Sequence, residues 1–311
     1  MTTETYEFFK ENGYAVLGKV LSDDEVARHE EAFDRNRKEC QHLWFYQGHD
    51  THQTGNMDTI TSWPEVDDIV RHPGILPVVQ ELMGGEMSIL EVSARHMDVH
   101  PGTPKIPQQW HRDTPHNTDH PLGVEYIQAM VYLTDVTEET HCFAISPQGL
   151  DDPVLDTEEQ LKKAGGKPLY GPAGTAILFN ASTLHAGTIR SSAVERKTVQ
   201  TYFCHREKTL GKLDMVIPAS LWRDHADPGA AALYGAQMEA FRQPGYREFR
   251  AGHTDIDMLP DPAIAWAQDR CPWNEEEGNE EHRCLVSGEH KCRYFQGMRR
   301  PDIVLCGYPQ K

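Results

Sequence analysis

Apolar positions in the first 86 residues recur at helical spacing, and from Met87 the period drops to two. Residues 3–12 predict a short helix that stops at Gly13, and residues 14–20 predict a strand. In "LSDDEV" Ser22 caps a new helix, and Glu25, three residues on, completes a capping box. Val26 and Phe33, seven apart, share one face of it. Residues 40–63, rich in His, Thr and aromatic residues, predict a long loop, and two short helices follow near 64–71 and 74–83. "MSILEVSARHMDV" (87–99) then reads as a strand. In "VEYIQAMVYLTDV" (124–136) Ile127, Ala129, Val131 and Leu133 form one apolar face, against Tyr126, Gln128, Met130 and Tyr132 on the other. "HCFAISP", "GTAILFN", "TLHAGTI" and "TVQTYFCH" add short strands, with Gly and Pro between them. Many short strands separated by turn residues predict a β-sandwich or barrel. Residues 207–311 are less regular, with one helix expected in "PGAAALYGAQMEAFRQ", and the chain carries no repeat.

Charge narrows the partners. A net charge of −18 disfavours nucleic acid, because phosphate binding needs clustered Lys and Arg. A small-molecule partner remains open, an anionic one included if a basic pocket receives it. No apolar run approaches membrane-spanning length, so no membrane association is expected. The N-terminus lacks a signal-peptide core and the seven cysteines are scattered, which predicts a cytoplasmic protein with free thiols. Oligomeric state stays open between monomer and homodimer.

The chemistry begins at "QQWHRDTPHN" (108–117). His-Arg-Asp is also a kinase catalytic-loop signature, but a kinase needs Asn five residues after the Asp, and position 118 is Thr. The glycine-rich loop and Asp-Phe-Gly are missing as well. His-x-Asp can instead start a metal site. It occurs as His96/Asp98, His111/Asp113, His225/Asp227 and His253/Asp255, so the tripeptide alone decides nothing. His111 and Asp113 lie between two strand candidates, and alternate residues of an extended segment point the same way. A distal His185 follows the strand "GTAILFN", and Arg196 comes eleven residues later, opening another strand. His225 or His253 can be joined to His282 and Arg293 at the same spacing, but in Pro- and Gly-rich sequence without strands. Two His and a carboxylate on one face of a metal leave three positions open. That suits non-haem Fe(II), which must take a co-substrate and O2 together. A 2-oxo acid can chelate through its keto acid end, and its far carboxylate then needs a permanently charged partner. Arg196, with Thr198 on the same side of the strand, is placed for that. The competing reading of Arg196 is a solvent-facing residue paired with Glu195.

Three segments now resemble a known family, the phytanoyl-CoA dioxygenase-like Fe(II)/2-oxoglutarate oxygenases. They are "YEFFKENGYAVLGKVLSDDEVARHEEAF", "WHRD" with the later "AMVYLTDVTEE", and "GTAILFNASTLHAGTIRSSAVERKTVQTYF", together covering about residues 6–204. The resemblance implies a mainly β fold with flanking helices, built on a double-stranded β-helix (a cupin-like jelly roll). One domain is expected over 1–311, although the resemblance does not reach the C-terminal part. Residues 1–86 would be the helical N-terminal part and lid loop, 87–206 the jelly-roll core, and 207–311 a helical or irregular extension packed on it. Fe(II), 2-oxoglutarate and O2 would be used to hydroxylate a small organic substrate, with succinate and CO2 as co-products. Desaturation, cyclisation or epoxidation on the same iron, or a jelly-roll binding protein without catalysis, are the alternatives. His111, Asp113 and His185 would be the ligands, and Arg196 and Thr198, with Gln128, would hold the co-substrate. Asp113 argues for oxygenation over halogenation, where this carboxylate is replaced by a small residue. After "DVTEE" and beyond His185 the sequence departs from the family pattern, so the substrate is not inherited.

Other groups have plainer readings beside functional ones. Trp44, Tyr46, His49 and His52 could touch substrate if residues 40–63 form a lid. His282, Cys284, His290 and Cys292 could bind a structural zinc, although the spacing matches no standard finger. His96, His100, His116 and His120 read as surface groups or as neighbours of the ligands.

Overall fold

The computed structural model describes residues 2–46, 53–102, 108–114, 124–205, 217–241, 264–267, 295–300 and 303–306. Helix α1 (Thr3–Asn12) ends on Gly13, whose φ of 74° is a left-handed conformation that glycine adopts without a Cβ penalty. Strand β1 (Tyr14–Lys19) leads to α2 (Asp23–Glu39), and both halves of the expected Ser22/Glu25 capping box form. Such a cap contributes about 0.5–2 kcal/mol. Val26 and Phe33 of α2 are both buried.

The expected long loop over 40–63 is partly ordered instead. Strands β2 (Trp44–Tyr46) and β3 (Gln53–Asn56) pair antiparallel, and a helical turn α3 (Thr59–Ser62) follows. Their polar composition hid them. Asn56 and Thr59 are buried because they bond to Asn36, Ser62 and the backbone of β4, not because they are apolar. Helices α4 (Asp67–Val70) and α5 (Leu76–Met83) come next. Strands β4 (Met87–Met97), β5 (Tyr126–Tyr132) and β6 (Cys142–Ile145) follow. Helix α6 (Thr157–Ala164) and strand β7 (Lys167–Leu169), which sequence reading missed, precede β8 (Thr175–Asn180), β9 (His185–Thr188) and β10 (Arg196–His205).

Two antiparallel sheets result. The larger runs β1-β8-β5-β10-β4-β3-β2 and the smaller β7-β6-β9. Met130, Tyr132, Ile177 and Phe179 of the larger sheet pack on Cys142, Phe143, Ile145 and Leu169 of the smaller, which defines the barrel interior. On the outer face Ile127, Ala129, Val131 and Leu133 pack with Phe33, Val79 and Met83 of the helices. Period two in β5 therefore separates a helix-packed face from an interior face, as its sequence pattern implied.

The larger sheet crosses the boundary expected at residue 86, since β1, β2 and β3 all belong to it. From the last third, α7 (Ala219–Trp222) and α8 (Pro228–Phe241) lie on the core through Trp222, Leu233 and Tyr234. Strands β11 (Ile264–Ala267), β12 (Phe295–Arg300) and β13 (Ile303–Cys306), not foreseen from the sequence, form a separate antiparallel sheet. Among the described residues no helix is long and apolar enough to cross a membrane.

Candidate active site

His111, Asp113 and His185 come together, with one potential ligand atom from each lying within 4.8 Å of the others. The backbone brings them there. His111 and His185 form an isolated antiparallel bridge, each N–H donating to the other's carbonyl at 2.9 Å. The Asp113 N–H donates to the Ala181 carbonyl at 3.0 Å. Arg112, the residue between the two ligands, points away from them. Its guanidinium donates to Gln148 Oε1 at 2.6 Å and to the Ser182 carbonyl at 2.5 Å, clamping His-x-Asp to the segment before His185.

Both imidazoles are held in one tautomer. His111 Nδ1–H donates to the Gln109 carbonyl at 3.1 Å, and His185 Nδ1–H to the Thr183 carbonyl at 2.8 Å. A carbonyl only accepts, so the proton sits on Nδ1 and the Nε2 lone pair is left for a metal. His111 Nε2 lies 3.2 Å from Asp113 Oδ1, and His185 Nε2 lies 3.2 Å from Asp113 Oδ2. Two metal–ligand bonds of about 2.1 Å at right angles put their donors about 3 Å apart, so the trio fits a facial metal site. Burial works against a charged Asp113. Without a metal, the protonated imidazoles of His111 and His185, whose Nε2–H groups face the two carboxylate oxygens, together with the Tyr202 hydroxyl outweigh it and hold the carboxyl well below the usual carboxylate range; a metal would replace those two Nε2 protons. The Asp113 hydrogen bond raises the His111 pKa despite desolvation.

Arg196 faces the same interior. Its partner in register across β4 is Met97, and Thr198, two residues on, pairs with the interior Tyr132. The competing reading, a solvent-facing Arg196 paired with Glu195, is wrong: Arg196 is only 3% exposed, and Glu195 bonds on the outer face to His96 at 2.6 Å and Lys197 at 3.0 Å. Arg196 Nε and Nη1 and the Thr198 hydroxyl are buried without any hydrogen-bond partner. A guanidinium buried this way is costly unless an anion completes it, and burial accordingly lowers its pKa. A ligand carboxylate would complete it. Gln128 also lies on the interior face and donates to Gln200 Oε1 at 3.3 Å.

Other candidates fall elsewhere. Trp44 lies on the outer side of the sheet, its ring 5.2 Å from Phe33 and its indole N–H donating to Asn36 Oδ1 at 3.0 Å. It is packed as an anchor between the sheet and α2. Tyr46 pairs in register with Thr54. His49 and His52 are outside the described residues, as are His116, His120, the competing His253/Asp255 pair, Arg293 and the Cys/His run with His282, Cys284, His290 and Cys292. The His225/Asp227 copy is a local turn in which the Asp227 N–H donates to His225 Nδ1 at 3.0 Å, while its carboxylate pairs with Arg71. His96 is buried in the outer network of Arg37 and Glu195, and His100 bridges to Ser192 through its backbone.

Sequence reading missed Tyr202, whose hydroxyl donates to Asp113 Oδ2. The signal was present. Residues 196, 198, 200 and 202 share one face of a strand, and 196 was already placed.

The sequence profile of the family described as phytanoyl-CoA dioxygenase (PhyH) matches residues 9–198. No curated protein sequence matches the chain. The fold is similar to the non-heme alpha ketoglutarate dependent epimerase SnoN from nogalamycin biosynthesis, at 19% identity and a TM-score of 0.55, covering 65% of this chain and 80% of that one. It is similar to the carbocyclase SnoK of the same biosynthesis, at 18% identity and a TM-score of 0.56, covering 66% and 85%. EctD from S. alaskensis, solved with 2-oxoglutarate and 5-hydroxyectoine, aligns at 16% identity and a TM-score of 0.56, covering 74% and 83%.

Proposed function

The chain belongs to the phytanoyl-CoA dioxygenase family, enzymes that use Fe(II), 2-oxoglutarate and O2, and from that premise we propose which residues carry the reaction. His111, Asp113 and His185 hold the iron, and Arg196 with Thr198 holds the distal carboxylate of 2-oxoglutarate. The reaction is hydroxylation of a small organic molecule, with succinate and CO2 released. The observation that carries this reading is the pairing of three convergent metal donors with a buried guanidinium that lacks a partner.

When bound, ferrous iron with 2-oxoglutarate and O2 supplies an oxidant able to take hydrogen from a C–H bond. The chain's own residues prepare the place. The carbonyls of Gln109 and Thr183 fix the imidazole tautomers, and Arg112 fixes the segment that carries His111 and Asp113. Tyr202 holds the Asp113 carboxylate through its hydroxyl. Arg196 offers a charge that does not titrate in the working range and so orients a dianionic co-substrate by its far end. The apolar interior of Met130, Ile177 and Phe179 excludes water from one wall.

Desaturation, cyclisation or epoxidation would use the same residues, and placement of the substrate would select among them. The similar folds of an epimerase and a carbocyclase support keeping those outcomes as the second reading. The described cysteines, Cys40, Cys142 and Cys204, are free and buried, which supports a cytoplasmic setting.

The test is an anaerobic titration of the Fe(II)-loaded protein with 2-oxoglutarate, following the weak visible charge-transfer band of the chelate. The band is expected in the wild type and absent in His111→Ala. Iron bound with no band on saturation would end the 2-oxoglutarate assignment.

A further inference from the structure

A second arginine faces the interior with two of its three nitrogens unpaired among the described residues. Arg95 of β4 pairs in register with Thr198 of β10, and Thr198 pairs with Tyr132 of the interior core. Directly opposed residues of antiparallel strands point to the same side, so Arg95 lies on the face that carries Arg196. Its side chain is 12% exposed. Among the described residues its Nε and Nη1 are buried without a hydrogen-bond partner, and its Nη2 reaches Glu91 Oε1 only at 3.4 Å. A guanidinium has five N–H donors, so this one is largely unspent.

Arg196 acts electrostatically on Tyr132 and Cys142, toward the smaller sheet. Arg95 and Glu91 act on the hydroxyl of Tyr202, which touches Asp113. In register Arg95 stands between the Arg196–Met97 pair and the Tyr202–Glu91 pair, so on this face it lies between the buried Arg196 and the tyrosine that touches Asp113. The register continues outward from Arg95. Arg95 pairs with Gly55 of β3, and Gly55 pairs with Phe45 of β2. Gly55 contributes no side chain to this row, and Phe45 at its end is a large apolar residue 47% exposed.

We propose that Arg95 is the anchor for a carboxylate of the primary substrate, and that Phe45 flanks the apolar body of the same molecule. The inference rests on the reading that Arg196 takes the co-substrate. It assigns the substrate to the organic acids, with the anionic group at Arg95 and the remainder reaching from the metal donors toward Phe45. Sequence reading offered Trp44 and Tyr46 of this strand, with His49 and His52, as substrate contacts. The register puts Trp44 on the opposite face and its neighbour Phe45 on the chamber side.

A carboxylate at Arg95 could come from the substrate or from 2-oxoglutarate itself, and calorimetry on the metal-loaded protein separates the two. Phenylacetate is the probe, phenylacetamide the neutral control, and 2-oxoglutarate is titrated separately. Wild type saturated with 2-oxoglutarate should bind phenylacetate saturably and phenylacetamide at least tenfold more weakly. Arg95→Gln should weaken phenylacetate at least tenfold and leave the 2-oxoglutarate Kd within twofold. Phe45→Ala alters an exposed residue, so folding is not at stake, and it should weaken phenylacetate severalfold with 2-oxoglutarate again unchanged.

Equal binding of acid and amide by the wild type, or no binding of the acid, overturns the proposal. So does an Arg95→Gln or Phe45→Ala protein with wild-type phenylacetate affinity. Loss of 2-oxoglutarate in Arg95→Gln would reassign this arginine to the co-substrate. Failure of the wild type to bind 2-oxoglutarate would instead strike the Arg196 reading, and the phenylacetate titration of the metal-only protein would still judge Arg95.

Discussion

Arg196→Met separates a stabilising role for this arginine from a ligand-binding one, because the two predict opposite signs. The guanidinium is 3% exposed, and two of its nitrogens have no acceptor. A buried polar group without a partner costs about 1–3 kcal/mol, and replacing a buried charge by an apolar side chain of similar length often stabilises a protein by about 1–4 kcal/mol. The ligand-free Arg196→Met protein should therefore be more stable than wild type by about 1–3 kcal/mol. At about 1.5 °C per kcal/mol for a chain of 311 residues, Tm rises by about 2–5 °C. Its 2-oxoglutarate affinity should fall, since breaking a buried charge pair costs about 2–5 kcal/mol, roughly 30- to 4000-fold in Kd. The assay is thermal unfolding of metal-loaded protein with and without 2-oxoglutarate. Ligand at a hundred times Kd stabilises wild type by about 2.7 kcal/mol, and at the same concentration the variant should show at most about 0.9 kcal/mol of this. A variant that is less stable without ligand, yet keeps the full ligand-induced rise, would refute the reasoning: Arg196 would then be a structural residue.

Three more outcomes follow from the packing. His29 is buried against Trp63, and desolvation, aided by Arg28, holds its pKa below 6.5 although Asp68, Glu25 and Glu65 oppose this. The unfolded chain then binds a proton that the folded one refuses, so stability is lost as pH falls below about 6.5. His29→Leu should flatten the fall in urea midpoint between pH 7.5 and 5.5 relative to wild type. Lys197, 3% exposed, reaches Glu30 at 3.0 Å, Asp34 at 2.8 Å and Glu195 at 3.0 Å, but these partners are 38–54% exposed, so screening trims their worth. Lys197→Met should cost about 1–2 kcal/mol in a denaturant titration, less at 1 M NaCl than at 0.1 M. At Gly174, φ is 91° and an added Cβ would lie 2.7 Å from the Leu21 carbonyl. Gly174→Ala should lower stability by at least about 2 kcal/mol in the same measurement.

Much of the barrel was legible because its strands alternate cleanly. In β5 and β10 one face is packed by helices and the other turns inward, so residue parity alone sorts the side chains. Capping was equally local: Ser22 and Glu25 are three apart, and their mutual bonds need no distant partner. The segment over 40–63 was not legible. Asn56 is a core residue only because Asn36 and Ser62 supply partners from other elements, and no local pattern marks that. The short β7 and the strands β11 to β13 lack an alternating run long enough to stand out from loop.

The candidate site divides the same way. The sequence by itself determined the donor types, their order along the chain and the strand that carries Arg196 and Thr198, because spacing and side-chain chemistry are local properties. The strand context in the sequence already favoured His111/Asp113 with a distal His185, and the tertiary structure is what brings their side chains together. The backbone bridge between His111 and His185 does this, and it closes across more than seventy intervening residues. It also decided that Arg196 is buried, that Trp44 turns away, and that Tyr202 and Arg95 turn in. Each of these depends on which strand becomes the neighbour and in what register, and a chain reveals its registers only once the sheet has formed.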